Sequence, residues 1–262
     1  MTKNIDEYYA PWVKGIPMYI SEHIEKAWRD PKLHRMMSNE NPLPPSDKVL
    51  EAMFKYAKMT NRYPDQGLIV RSKIAEMNNV GGPENVMIGN GSSEVLVDLM
   101  QTLDRPGEVI FPWPSFPLYS SAARIVGLTE RRVELDTHHA VVLDSLLSAV
   151  GPETRAVLLC NPNNPTGTHL PLSEVREFAA ALPQDVLLIL DEAYYEFVTD
   201  PAYPGSHELV LESENVATTR TFSKVHGLAG LRVGYVIAPP KVADYVGRAH
   251  TPFSVNLLAQ AA

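Results

Sequence analysis

Six apolar runs of strand length punctuate this chain, and most are separated by segments with helical periodicity. The runs are Val86–Ile88, Val109–Phe111, Ala156–Cys160, Val186–Leu190, Val216–Thr221 and Arg232–Ala238. Between them, Ser93–Leu103 places Val95, Leu96, Leu99, Met100 and Leu103 on one helical face, and Ser173–Leu182 reads as a second helix. Continuous apolar strands alternating with helices imply a sheet covered on both faces, hence an α/β fold with a mostly parallel central sheet. At 262 residues the chain is long enough to bury a full core without disulfides or metals.

The N-terminal part is organised differently. Residues 1–35 read as an arm and a helix, with Ile20, Ile24 and Ala27 at helical spacing and Pro31 closing the segment. Residues 36–262 read as one large domain. It begins with the turn-rich Ser38–Pro45 and a helix over roughly 46–58. A polar loop then runs over Asn61–Gly67, where Pro64 pushes Tyr63 out of the helical region.

Composition removes several classes of function. With 23 basic against 31 acidic residues the formal charge is −8, and no Lys/Arg run is present, which argues against nucleic-acid binding. No apolar stretch approaches the roughly 18 residues needed to span a bilayer, so no membrane partner is expected. The polar, aromatic N-terminus lacks the apolar core of a signal peptide, and the single cysteine, Cys160, suits a reducing compartment. A cytoplasmic protein is the expectation. The eight histidines show no HExxH-type metal spacing, and there is no GxSxG elbow, so no metal ligands are assigned.

Polar residues concentrate where the apolar runs end. Val86–Ile88 leads into Gly89-Asn90-Gly91-Ser92-Ser93-Glu94, and Ala156–Cys160 into Asn161-Pro162-Asn163-Asn164-Pro165-Thr166-Gly167. Val186–Leu190 leads into Asp191-Glu192-Ala193-Tyr194, and the strand from Val216 into Thr221-Phe222-Ser223-Lys224. In open α/β sheets, ligands bind at these carboxyl ends. The Gly89–Glu94 segment reads either as an anion site at a helix N-terminus or as a serine N-cap. Asp191, after five apolar residues, is either a partly desolvated carboxylate seeking a cation or a turn cap. Of ten lysines, Lys224 alone belongs to the region of these polar strand ends. A partly buried lysine can be the neutral amine that a Schiff base requires. Arg232 could pair bidentately with a phosphate or form a surface ion pair. Tyr194 is open between chemistry and packing, as is His226. Trp113, Phe116 and Tyr119 read as core or as a stacking surface, and His138-His139 as solvated loop.

The ordered set NGSSE, NPNNPTG, DEAY, TFSK and GLAGLRVGY resembles the fold-type-I, pyridoxal-phosphate-dependent aminotransferases. It is most like the class I/II branch that contains histidinol-phosphate aminotransferase, from about Ser38 to Ala262. The resemblance implies pyridoxal 5'-phosphate as cofactor, with Lys224 as its covalent anchor and proton carrier, and Asp191 paired with the protonated ring nitrogen. It implies Asn164 and Tyr194 at the phenolic oxygen, Phe116 stacked on the ring, and Ser92, Ser93, Ser223 and Arg232 on the phosphate. Phe116 replaces the tyrosine usual in this branch. Tyr63 would reach the neighbouring subunit's phosphate in a homodimer, and Asn39 would border the substrate. The implied activity is amino transfer between histidinol phosphate or an aromatic amino acid and a 2-oxo acid, a reaction of amino-acid and histidine biosynthesis. A decarboxylase of a phosphorylated amino acid and a non-catalytic binding module are the competing readings. The family's small C-terminal domain, which supplies a substrate-clamping arginine, has no counterpart here, so the chain is expected to be the cofactor domain alone, with impaired transamination.

Overall fold

The computed structural model describes residues 4–18, 22–30 and 32–262. Its sheet has seven strands: β1 (Val86–Gly89), β2 (Glu108–Trp113), β3 (Thr129–Glu134), β4 (Thr154–Cys160), β5 (Leu187–Asp191), β6 (Val216–Thr221) and β7 (Gly234–Ile237). The helices, in chain order, are α1 (Pro11–Lys14), α2 (Glu22–Arg29), α3 (Asp47–Ala57), α4 (Leu68–Met77), α5 (Ser92–Gln101) and α6 (Leu118–Ile125). They continue as α7 (Leu143–Ala149), α8 (Leu172–Ala181), α9 (His207–Glu212), α10 (Pro240–Ala249) and α11 (Leu257–Ala261). The helix expected near the N-terminus is α2, which carries Ile24 and Ala27; Ile20 and Pro31 lie outside the described residues. Among the described residues no helix is long and apolar enough to cross a membrane.

Strand order is β1-β7-β6-β5-β4-β2-β3. The β2–β3, β2–β4, β4–β5 and β5–β6 pairs are parallel, whereas β7 is antiparallel to both β1 and β6. The expected mostly parallel sheet is therefore present with one strand reversed. Continuous apolar runs do not encode strand direction, so the reversal is invisible to periodicity.

The apolar runs are continuous because both faces are covered. In β4, Val157 and Leu159 join the core on one face, while Ala156, Leu158 and Cys160 join the core on the other. In β5, Leu188 and Leu190 face the first core and Ile189 the second. The β3 strand, Thr-Glu-Arg-Arg-Val-Glu, is absent from the sequence reading because it is not apolar. It is the sheet's edge, mostly exposed, and its charges discourage pairing with another chain. The β6 strand departs from expectation in the opposite sense. Its whole length is buried, yet it carries Thr218, Thr219 and Arg220. The Arg220 guanidinium is paired with buried Glu192 at 2.7 Å, donates to Asn78 Oδ1 at 2.8 Å and lies over the Tyr195 ring at 4.0 Å.

Leu158 is fully buried at the centre of the sheet. Replacing it with alanine should cost about 2–5 kcal/mol, read as a fall in the urea midpoint at unchanged slope. A loss below about 1 kcal/mol would contradict the packing described.

Candidate active site

The reversal of β7 brings the candidate residues to one edge. The carboxyl ends of β1, β4, β5 and β6 lie on one side of the sheet, and β7 begins there instead of ending there. Gly234, the first residue of β7, is in register with Gly89 at the end of β1 and with Thr221 at the end of β6. Arg232, two residues earlier, is thereby delivered to the same edge, with a left-handed backbone at φ 55°.

The α5 N-terminus supplies the opposing wall. Its N-cap is Gly91, not a serine, and Ser92 and Ser93 are the first two helical residues. This corrects the N-cap alternative: at φ 79° the capping position favours glycine. A Cβ at Gly91 would also stand 2.4 Å from Arg232 Nη2, so the missing side chain is what admits the guanidinium to the helix terminus. Likewise a Cβ at Gly234 would stand 2.2 Å from the Ser92 nitrogen. Arg232 Nη1 donates to Ala229 C=O at 3.2 Å and, at 3.5 Å, to Ser223 Oγ, which also accepts from Thr221 Oγ1 at 3.0 Å. Among the described residues Arg232 has no acidic partner, so the surface-ion-pair alternative is not realised. A guanidinium, a helix N-terminus and two hydroxyl-bearing residues at its start form a cradle for an anion.

Asp191, the last residue of β5, is 2% exposed. Its Oδ2 accepts from Tyr119 O–H at 2.6 Å; its Oδ1 accepts from Thr219 Oγ1 and the Ala193 N–H, each at 3.3 Å. The Ala193 bond realises the turn-cap reading, but only as one of three contacts. Burial raises the carboxyl above its ordinary pKa, the three donors oppose this, and neighbouring Glu192 adds to the rise. Among the described residues no salt bridge reaches it. Tyr119 was legible only as one of an aromatic cluster; it lies 72 residues from Asp191, and no local signal marks it. Phe116, half-buried, meets Tyr119 edge-to-face at 5.7 Å.

Lys224 follows the end of β6. Its Nζ donates to the Ser38 carbonyl at 2.7 Å and lies 5.5 Å from the centre of the Tyr194 ring. Burial lowers the amine below the ordinary lysine value; Glu40 raises it, Arg232 lowers it further and Asp191 raises it. The lysine is therefore within electrostatic reach of both the carboxylate and the cradle. Ser38 and Asn39 both adopt left-handed backbone, and Asn39 Nδ2 donates to Tyr194 Oη at 2.9 Å. Asn41 Nδ2 bonds the Val225 carbonyl at 2.9 Å, tying this turn to the lysine loop. Asn39, Asn164 and Tyr194 line one cavity of about 380 Å³. Asn163 fixes that wall: it accepts from Ser115 Oγ at 2.8 Å and donates to the Pro114 carbonyl at 3.1 Å, next to Phe116.

Three residues stand apart. Tyr63 is 83% exposed and stacks on Phe253 at 4.8 Å, outside the constellation of this chain. His226 packs 5.1 Å from the Phe222 ring, with Glu196 at 3.4 Å, which answers the packing alternative. Cys160 is buried, and burial beside Asp191 pushes its thiol up to about 12. It is not a nucleophile at neutral pH.

An anion cradle, a buried carboxylate lacking a cation and a depressed amine thus share one sheet edge. Residues 31–262 match the family model "Aminotransferase class I and II", and the chain belongs to that family. It is 56% identical over 231 residues to a histidinol-phosphate aminotransferase of Rubrobacter xylanophilus, covering 88% of this chain and 66% of that protein. It is 42% identical over 230 residues to an aromatic amino acid aminotransferase of Mycolicibacterium smegmatis, covering 87% and 63%. The chain therefore spans somewhat less than two thirds of the length of these relatives. Among solved structures, the histidinol-phosphate aminotransferase of Sinorhizobium meliloti in complex with pyridoxal-5'-phosphate superposes with a TM-score of 0.87 at 30% identity, over 97% of this chain and 69% of that one.

Two predictions follow from the electrostatics. The folded pKa of Asp191 is raised, so its ionised form opposes folding of the cofactor-free chain above that pKa, and the penalty vanishes below the unfolded value of about 3.9. Asp191→Asn should therefore raise Tm relative to the parent chain at neutral pH, by a margin that shrinks as pH falls; a margin independent of pH would contradict the uncompensated carboxylate. For Lys224, labelling by an amine-reactive reagent, followed by peptide mass spectrometry, should show a pH midpoint below that of the lysine of an unstructured model peptide, about 10.4. Equal midpoints would contradict the desolvated amine.

Proposed function

We propose that the chain binds pyridoxal 5'-phosphate and serves amino transfer between histidinol phosphate or an aromatic amino acid and a 2-oxo acid. The observation that carries this reading is Asp191, a buried carboxylate with no salt-bridge partner among the described residues, on the same edge as Lys224 and the cradle. The donor set fits the cofactor at each end. A protonated pyridine nitrogen is the cation that Asp191 lacks, and a phosphate dianion is the partner of Arg232 and the α5 N-terminus. When bound, pyridoxal phosphate supplies an aldehyde for covalent capture and an electron-accepting ring.

The chain's residues then have distinct tasks. Asp191, held by Tyr119 and Thr219, keeps the proton on the ring nitrogen. Lys224, its amine depressed by burial, would be the anchor for the cofactor's aldehyde and the group that holds and moves a proton at Nζ. Asn164 and Tyr194 would hydrogen-bond the phenolic oxygen, and Phe116 would cover the ring face. Ser92, Ser93, Ser223 and Arg232 hold the phosphate. Asn39, already bonded to Tyr194, borders the substrate in the cavity. We assign exposed Tyr63 to the cradle of a second copy, in a homodimer. Support for the substrate class comes from the relatives named above.

Borohydride treatment of the chain with pyridoxal phosphate, followed by peptide mapping, should place the modification on Lys224. It should be lost in Lys224→Ala and weakened about tenfold or more in cofactor affinity by Arg232→Met, which removes charge-assisted bonds. Modification of another lysine, or an undiminished adduct in Lys224→Ala, would overturn the assignment.

A further inference from the structure

Outside this site, the loop after α10 is joined to α5 by a chain of hydrogen bonds. His250 is the C-cap of α10. Its Nδ1 lies 2.7 Å from Asp98 Oδ2 and its Nε2 lies 3.0 Å from Ser254 Oγ. Ser254 O–H donates to Glu94 Oε2 at 2.6 Å, and the same oxygen accepts the Asn90 N–H at 2.6 Å. Glu94 and Asp98 are one turn apart on α5, and Glu94 directly follows Ser93 of the cradle. Gly89 leaves room for the carboxylate, since a Cβ there would stand 3.2 Å from Glu94 Oε2. The bonds thus run unbroken from the 250–254 loop to the turn that builds the cradle.

Counting hydrogens decides the state of the ring. Ser254 has one hydrogen, and it goes to Glu94. Asp98 accepts from Nδ1–H. The Nε2–Ser254 contact then needs a hydrogen on Nε2, and both ring nitrogens carry one only in the imidazolium. The count also excludes Ser254 as a histidine-activated nucleophile, because the ring has no lone pair to offer.

We propose that protonated His250 latches the 250–254 loop to α5 and so positions the Asn90–Ser93 turn for phosphate binding. His250 is a positioning residue, not a catalytic one, and this inference rests on the assignment of phosphate to the cradle. The groups facing His250 are Glu94 and Asp98 from α5, with Asp65 and Arg71 lining the same small cavity. On α10 itself, Asp244 and Arg248 are bonded to each other. The bond to Asp98 raises the imidazole above its ordinary value, burial opposes this, and the charges of Asp98 and Glu94 add to the rise. With the folded value raised, the latch contributes fully below the unfolded value of about 6.5 and is lost as pH rises through the folded one.

Two readouts separate the latch from the cradle. Hydrogen exchange of the cofactor-free full chain, from pH about 6 to about 9 and corrected for intrinsic rates, reads the latch alone across the histidine range. Protection of residues 90–94 and 250–254 should fall together, by about tenfold, the ratio expected for one lost charge-assisted hydrogen bond. His250→Gln should show the low protection at every pH. Ser254→Ala should lower the His250 titration midpoint by NMR, and Ser254→Thr should restore it. Inorganic phosphate, titrated calorimetrically at one pH below the midpoint, should bind about tenfold more weakly to His250→Gln by the same bond loss. Unchanged protection of 90–94 in His250→Gln overturns the latch. Intact exchange coupling with no phosphate binding to the parent chain upholds the latch and overturns the cradle assignment instead.

Discussion

A carboxylate taken out of water, with no salt-bridging cation among the described residues, is the constraint on which the candidate site depends. Asp191 sits at the end of a central strand, 2% exposed, and accepts hydrogen bonds from a phenol, a hydroxyl and a backbone N–H. Burial of an ion costs several kcal/mol even after relaxation, so a position of this kind is costly for the chain by itself and becomes favourable when a cation arrives. Next to it, the buried Glu192–Arg220 pair shows the contrasting solution, in which the fold supplies its own cation. Two adjacent acidic residues at one strand end thus differ in environment: among the described residues, only Glu192 has a cationic partner. Glu192 ties β5 to β6 through Arg220, whereas Asp191 has no salt-bridge partner among the described residues.

The reversed strand β7 is what turns a carboxylate on a sheet edge into a site. Had β7 run parallel to its neighbours, Arg232 would have entered at the opposite edge. Antiparallel pairing with both β1 and β6 sets Gly234 against Gly89 and Thr221, and so sets Arg232 against Gly91 and Ser223. Two missing side chains make the approach possible: Gly91 admits the guanidinium and Gly234 admits the helix terminus. The lysine enters from β6 and is steadied from the far end of the sequence by the left-handed turn at Ser38 and Asn39. Cradle, carboxylate and amine therefore come from four strand ends and one distant turn.

Much of this was legible in the residues. Strands buried on both faces read as apolar runs, and the polar residues terminating them marked the edge at which ligands bind. Lys224, Asp191 and Arg232 were visible for that reason. What escaped has a common cause, which is that its signal lies in tertiary contact. Tyr119 belongs to the site only because α6 lays it against β5, and Thr219 only because β6 pairs with β5 in one register. Strand β3 carries charge because it is an edge, and the latch of His250 joins positions 152 residues apart. The direction of β7 was equally hidden, since the apolar pattern of a strand is the same read either way.

On the proposed function, Asp191 holds a cation contributed by the ligand. Nitrogen-15 NMR of the chain loaded with pyridoxal phosphate labelled at the ring nitrogen tests it directly. A protonated ring nitrogen is expected at neutral pH in the parent chain and a deprotonated one in Asp191→Asn. A ring nitrogen that is unprotonated in the parent chain, or equally protonated in both, would contradict it.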